Sequence, residues 1–152
     1  MPWELQALST DDDGSLGTVE HVQAKLRAAL PKIELFRDAS GSEKVASMES
    51  QGIEVPDVIR EHWLRSKGAH QGLIEGDEFT IEFHLGEDDA AVVAVGINVR
   101  GSGDPMPVLQ RLMRIEGWKV VDLNGRPPTA ESWQSFRTWQ DDAIEQTKDE
   151  GA

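Results

Sequence analysis

The sequence predicts an α+β domain with an antiparallel sheet built around a central hairpin and with helices mainly on one face. Two stretches near the middle of the chain, about 79–85 and 91–99, alternate apolar and polar residues, as strands with one buried face do. Apolar residues at helical spacing occur on both sides of this hairpin. Strands outnumber tight strand–helix–strand units, which favours an antiparallel sheet. The length of 152 residues indicates one domain over 1–152, with 146–152 expected to be a frayed tail.

The first part of the chain predicts two strands and one helix. Residues 3–8 form the opening strand, and a polar loop follows over 9–17. Thr18 is a suitable N-cap for a helix that ends at about Leu30. A short strand is expected over 33–36. The apolar residues of the helix share one face: Val19, Val22, Leu26, Ala29 and Leu30.

Residues 38–54 are rich in serine, glycine and charge, and they predict a loop with at most a helical turn. Pro56 suits the start of a second helix, which ends before Gly68. Four residues of this helix are expected to form a buried stripe: Val58, Ile59, Trp63 and Leu64.

The central hairpin has one apolar and one polar face, joined by a turn at 86–89. The apolar face is expected to form the core: Phe79, Ile81, Phe83, Leu85, Val93, Val95, Ile97 and Val99. The opposite face combines charged ends with a centre of small residues: Glu78, Thr80, Glu82, His84, Ala94, Gly96, Asn98 and Arg100. The candidate binding residues are Glu78, Glu82, His84, Asn98 and Arg100. A partner or a helix of the same chain could cover this face, and the sequence leaves both possibilities open.

The last third predicts two helices around one strand. Asp104 is the natural N-cap of the first, with Pro105 at its first helical position. A strand follows over 118–123, and the final helix spans about 129–146. This helix carries an aromatic stripe that favours packing on the sheet, with groove binding as the alternative: Trp133, Phe136 and Trp139.

Composition restricts the classes of partner. Lysine and arginine total 15 against 28 aspartate and glutamate, a formal net charge of −13. Such a chain repels phosphate backbones and anionic lipids, so neither nucleic acid nor a membrane is an expected partner. A basic protein is favoured, although solubility alone also accounts for an acidic surface. The sequence shows no secretory signal and no apolar run of about 20 residues, which indicates a cytoplasmic protein.

Catalytic and cofactor motifs are not recognisable. The chain has no cysteine and no tyrosine, and its four histidines lack metal-ligand spacing. The Gly-Ser-Gly run at 101–103 is not a nucleophile elbow, and it matches no phosphate-binding loop. A non-enzymatic domain without a cofactor is therefore expected.

A calcium loop is a weaker alternative. Counted from Ser9, Asp11 and Asp13 occupy the third and fifth positions of a twelve-residue loop, and Glu20 occupies the twelfth. Ser9 itself replaces the first carboxylate, and no second loop pairs with this one. An acidic loop before a capped helix is the preferred interpretation.

Several short patterns resemble those of small uncharacterised bacterial α+β proteins. These are Leu16-Gly17-Thr18, Ile81-Glu82-Phe83 with Gly86-Glu87, Val99-Arg100-Gly101 with Gly103-Asp104, and Gly117-Trp118 with Asp122 and Gly125. The resemblance implies a compact domain in a bacterial cytoplasm and carries no known activity.

The function expected from these observations is a non-enzymatic protein-binding domain. Its acidity and size are similar in character to immunity proteins, which neutralise toxins by covering basic surfaces. Two alternatives stay open: a small-ligand-binding or enzymatic domain that uses the polar sheet face, and a calcium-stabilised domain formed through the loop from Ser9 to Glu20. The sequence does not indicate an oligomeric state.

Overall fold

The computed structural model describes the backbone of residues 1–11 and 14–150, and the side chains of 1–11 and 14–145. Its elements are β1 (Trp3–Ser9), α1 (Val19–Ala29), β2 (Glu34–Asp38), α2 (Gly41–Ser50), α3 (Asp57–Leu64), β3 (Ala69–Glu75), β4 (Phe79–Glu87), β5 (Ala94–Gly101), α4 (Met106–Met113), β6 (Trp118–Asp122) and α5 (Ala130–Glu150). The strands form one antiparallel sheet in the order β2-β3-β4-β5-β1-β6. The predicted α+β class and the central hairpin are confirmed.

Strand register places the apolar residues of the hairpin in the core. Ile81 lies opposite Val99 and Phe83 opposite Ile97, while Leu5 of β1 lies on the other side of Ile97. All five are buried. Because side chains alternate along a strand, the register of one residue pair determines which face of the sheet every other residue of those strands occupies.

Helices α1, α4 and α5 pack on this apolar face. Val22 and Leu26 of α1 and Leu109 and Leu112 of α4 are fully buried in the same cluster as the core strand residues. Helix α1 contacts β4 and α4, and α4 contacts β6. Trp133 of α5 joins the cluster beside Trp3.

The loop predicted over 38–54 is wrong, because ten of its residues form α2. Ser40 Oγ accepts a hydrogen bond from the Glu43 amide at 3.3 Å and contacts Glu43 Oε1 at 3.1 Å. The first contact is the hydrogen bond of a helix N-cap, and in the second the Ser40 hydroxyl donates to the Glu43 carboxylate. Strand β3, which the sequence did not indicate, follows α3 and pairs with β2 and β4.

The buried stripe predicted for α3 is also wrong. None of its residues is buried, and Val58 is 81% exposed. The helix packs against α2, where Gly41 approaches the backbone of Trp63 too closely for any side chain at that glycine. Contact through this backbone leaves the apolar side chains of α3 outside the core.

The core prediction also fails at Val93, which is 68% exposed, whereas Val92 is buried. Strand β5 begins only at Ala94, so the alternation does not extend back to Val93. Val92 instead exchanges backbone hydrogen bonds with the loop before α1. Its amide donates to Gly17 O at 2.8 Å and its carbonyl accepts from the Leu16 amide at 2.7 Å.

Helix α5 continues to Glu150, four residues beyond its expected end. The side chains of 146–150, and residues 151–152 altogether, lie outside the described part of the chain. The predicted frayed tail over 146–152 concerns these residues, so it stays a prediction.

Candidate functional site

The sheet face opposite the core is uncovered. We call it the open sheet face. Its central members come from five strands: Glu4, Gln6, Leu8, Gln71, Leu73, Thr80, Glu82, His84, Ala94, Gly96, Asn98, Arg100, Lys119 and Val121. None of these residues is buried. The buried side chains of α1, α4 and α5 all belong to the cluster on the opposite face.

Four of the five predicted binding residues are neighbours on this face. Arg100 Nε lies 3.7 Å from Glu82 Oε1, which makes a loose ion pair with both side chains exposed to solvent. Asn98 Nδ2 lies 3.3 Å from His84 Nε2. Glu82 is directly opposite Asn98 in the β4–β5 register. The period-two pattern therefore predicted this grouping correctly.

Glu78 lies outside the group because it precedes β4 in a turn. Its φ of +59° is left-handed, and its carbonyl accepts hydrogen bonds from the amides of Ser102 (2.9 Å) and Gly103 (2.8 Å). Its carboxylate Oε2 is 3.5 Å from Ser102 Oγ. Glu78 thus connects the turn before β4 with the turn after β5.

Acidic side chains outnumber basic ones across the described residues of this face. The carboxylates are Glu4, Glu34, Asp38, Glu75 and Glu82, and the basic side chains are Arg100 and Lys119. Asp38 accepts a hydrogen bond from Gln71 Nε2, which confirms that these two residues share the face. The face combines a negative potential with a shallow centre at Ala94 and Gly96.

A second polar cluster was not anticipated from the sequence. We call Arg37, Glu43, His70 and Asp88 the Arg37 cluster. Arg37 Nη1 and Nη2 donate to the two oxygens of Glu43 at 3.0 and 2.6 Å, and Arg37 Nε donates to Asp88 Oδ1 at 2.9 Å. His70 Nε2 lies 2.6 Å from Asp88 Oδ1.

Charge pairing shifts the ionisation of this cluster. Hydrogen bonds from Arg37 lower the pKa of Asp88 to about 2, and a hydrogen bond from His70 lowers it by a smaller amount. The Arg37 guanidinium likewise lowers the pKa of Glu43, and the two carboxylates raise the pKa of Arg37.

A histidine beside an aspartate is an arrangement used in acid–base catalysis, but here both ring nitrogens of His70 are occupied. Its Nδ1 lies 3.4 Å from Gln23 Nε2 of α1, while Nε2 faces Asp88. No nitrogen is left to exchange a proton with a substrate in this arrangement. The cluster instead connects α1, α2, β2, β3 and the β4–β5 loop.

The structure describes two of the three candidate calcium ligands, Asp11 and Glu20. Asp11 lies in the loop, where its amide donates to Ser9 Oγ at 3.1 Å, and Glu20 lies in the first turn of α1. Asp13 is outside the described residues. Within the described part, no group of three histidine, aspartate or glutamate side chains could hold a metal ion.

The aromatic stripe of α5 divides between core and surface. Trp133 is buried, Phe136 is half-buried, and Trp139 is 52% exposed. The sequence favoured packing of the whole stripe on the sheet. This prediction holds for Trp133 and is wrong for Trp139. The exposed end of the stripe borders a groove.

Comparisons with known proteins identify no relative: no family model, curated protein or solved structure matches the chain. Among the described helices, none has both the length and the apolar character that a membrane span requires.

Proposed function

We propose that this chain is a non-enzymatic protein-binding domain that engages a basic partner protein through the open sheet face. The observation that carries the proposal is the exposure of that face across the sheet, while α1 and α4 cover the opposite side. An uncovered sheet face of this extent offers a continuous surface of the kind that protein interfaces use.

Charge supports a basic partner. The chain carries a formal net charge of −13, and the described carboxylates of the open sheet face outnumber its basic side chains. Complementary potentials accelerate association and disfavour acidic competitors. The same character suits an immunity-type inhibitor, which would act by masking a basic surface. A cytoplasmic location is part of this proposal.

The centre of the face supports close approach. Ala94 and Gly96 carry little or no side chain, and Gly96 lies opposite both Gln6 and His84. A Cβ atom at Gly96 would meet nothing nearer than the His84 Cβ at 3.5 Å. A partner backbone or a flat side chain can therefore reach the sheet between flanking polar groups.

Partner capture by charge-reversed variants tests the proposal. Glu82→Lys reverses a charge at the centre of the face, and Glu61→Lys reverses an exposed charge on α3 as the matched control. We expect the wild-type chain and Glu61→Lys to retain a basic partner, and Glu82→Lys to lose it. Capture should also weaken with added salt, because exposed charges are screened within about 8–10 Å.

Stability must be measured alongside capture. The Glu82–Arg100 pair is exposed, and such pairs contribute about 0–1 kcal/mol, so Glu82→Lys should melt close to the wild type. Undiminished capture by Glu82→Lys, or equal loss in both variants, would contradict a binding role for this face.

A further inference from the structure

The aromatic side chains of α5 form a row that leads from the core to the surface. Ring centroids are 5.2 Å apart for Trp3 and Trp133, 6.0 Å for Trp133 and Phe136, and 5.9 Å for Phe136 and Trp139. The first pair is buried, whereas Trp139 is half exposed. The row therefore presents a rigid aromatic surface to solvent at its outer end.

This outer end borders a groove of about 800 Å³ between the start of β1, the β6–α5 connection and α5. Three aromatic residues line the groove: Trp3, Phe136 and Trp139. Three carboxylate residues and one basic residue also line it: Glu4, Asp122, Glu131 and Arg126. Trp139 and Glu131 border a neighbouring hollow as well, together with Asp142.

Helix geometry places the key groups in register. Glu131, Ser135 and Trp139 are spaced four residues apart, so they form one row along α5, and Phe136 stands in the adjacent row. The carboxylate of Glu131 and the ring of Trp139 consequently line the same side of the groove.

The polar groups of the groove favour a cation, because its three carboxylate residues outnumber its single basic residue, Arg126. The amide of Ser132 at the start of α5 already donates to Thr129 Oγ1 at 3.0 Å, so it is not available to an anion. Asp122 Oδ1 accepts from the amides of Asn124 and Arg126, and its role is to hold that turn. Glu131 then provides negative charge on the α5 side of the groove.

We propose that this groove binds an arginine side chain carried by a segment of a partner protein. A guanidinium is planar and stacks on aromatic faces, so it suits the exposed ring of Trp139. Glu131 lies eight residues away on α5, about 12 Å along the helix, and attracts the cation at longer range. The groove borders the open sheet face at Glu4, but the inference does not depend on the binding role proposed for that face.

The test is binding of an eight-residue peptide with two arginines, compared with the same peptide carrying neutral citrulline at both positions. Titration would be followed through the indole N–H resonances of the five tryptophans. We expect the arginine peptide to bind more tightly. Trp139→Ala should weaken it by about 2- to 30-fold, the range for loss of a cation–aromatic contact, while Trp139→Phe should weaken it less.

Matched variants separate this site from general attraction to an acidic protein. Glu131→Gln should weaken the arginine peptide, whereas Glu61→Gln on α3 and Glu82→Lys on the open sheet face should bind it as the wild type does. Equal affinity for the arginine and citrulline peptides would overturn the proposal. So would unchanged binding by Trp139→Ala, or equal weakening by Glu131→Gln and Glu61→Gln.

Discussion

Arg37 and Asp88 lie 51 residues apart in the chain and are joined through two guanidinium nitrogens, with Nε to Oδ1 at 2.9 Å and Nη2 to Oδ2 at 2.5 Å. The same guanidinium holds Glu43 of α2. One side chain thus connects an edge strand, a helix and the β4–β5 loop. It is a cross-link between the α2–α3 pair and the sheet.

This cross-link should make folding stability sensitive to acid. Asp88 has a folded pKa of about 2, below its ordinary value near 3.8, and the pKa of Glu43 is also lowered. A depressed carboxyl pKa means that the folded state favours the ionised form. Its stabilising contribution is therefore complete above about pH 4 and is lost as the pH falls towards 2.

Urea unfolding between pH 7 and pH 2.5 measures this dependence. Asp88→Asn should lower the midpoint at pH 7 and should flatten the acid-induced decline, because the titrating group is gone. Asp141→Asn, an exposed carboxylate on α5, serves as the control and should leave the curve unchanged. A full acid-induced decline in Asp88→Asn would show that other carboxyls are responsible.

Two valines should differ in how strongly truncation to alanine lowers the free energy of unfolding. Val95→Ala removes methyl groups from a fully buried site and should cost about 2 kcal/mol of unfolding free energy. Val58→Ala changes a side chain that is 81% exposed and should stay within about 0.5 kcal/mol of the wild type. Denaturant titration compares them. A large loss in Val58→Ala would mean that α3 buries its apolar side in solution.

Asp104 should stabilise the start of α4 from one residue before the N-cap, because the helix begins at Met106 and its N-cap is Pro105, not Asp104 as the sequence predicted. Asp104 Oδ1 accepts a hydrogen bond from the Met106 amide at 3.0 Å, just where α4 begins. Asp104→Ala should lower stability by about 0.5–2 kcal/mol, and Asp104→Asn should be nearly silent because an amide oxygen accepts the same bond. Thermal melts distinguish the two. Equal damage from Asn and Ala would point to a requirement for the charge.

The alternation of apolar and polar residues predicted the elements whose buried face is encoded in neighbouring residues. The alternation through Ile81, Phe83 and Ile97 identified both hairpin strands and their core face. Strand β3 was missed because Gly72 and its polar neighbours lack such alternation, and its place depends on pairing with β4. The stripe of α3 showed which residues share a face, but periodicity does not say what covers that face.

In the candidate site, too, alternation within a strand was predictable and contacts between distant segments were not. Alternation along β4 and β5 predicted that Glu82, His84, Asn98 and Arg100 share a face. It failed at Glu78, where a left-handed backbone conformation ends the alternation. The glycines of the resemblance pattern have backbone roles. Gly101 has φ +103° and, like Gly103, lies against the 77–78 turn too closely for a side chain. The Arg37–Asp88 contact could not be predicted, since it requires the β2–β3 pairing.

Calcium should not stabilise this domain, because the loop from Ser9 is held by its own hydrogen bonds. Besides the bond from the Asp11 amide to Ser9 Oγ, the Gly14 amide donates to Asp11 O at 2.8 Å. Glu20 is placed in α1, whose N-cap Thr18 accepts from the His21 amide at 3.2 Å. Melts with calcium and with a chelator should coincide. Saturation at 100 times Kd would add about 2.7 kcal/mol, or roughly 5–10 °C, which a melt readily resolves. An upward shift of that size with calcium, and none with magnesium, would show that the loop closes around the ion.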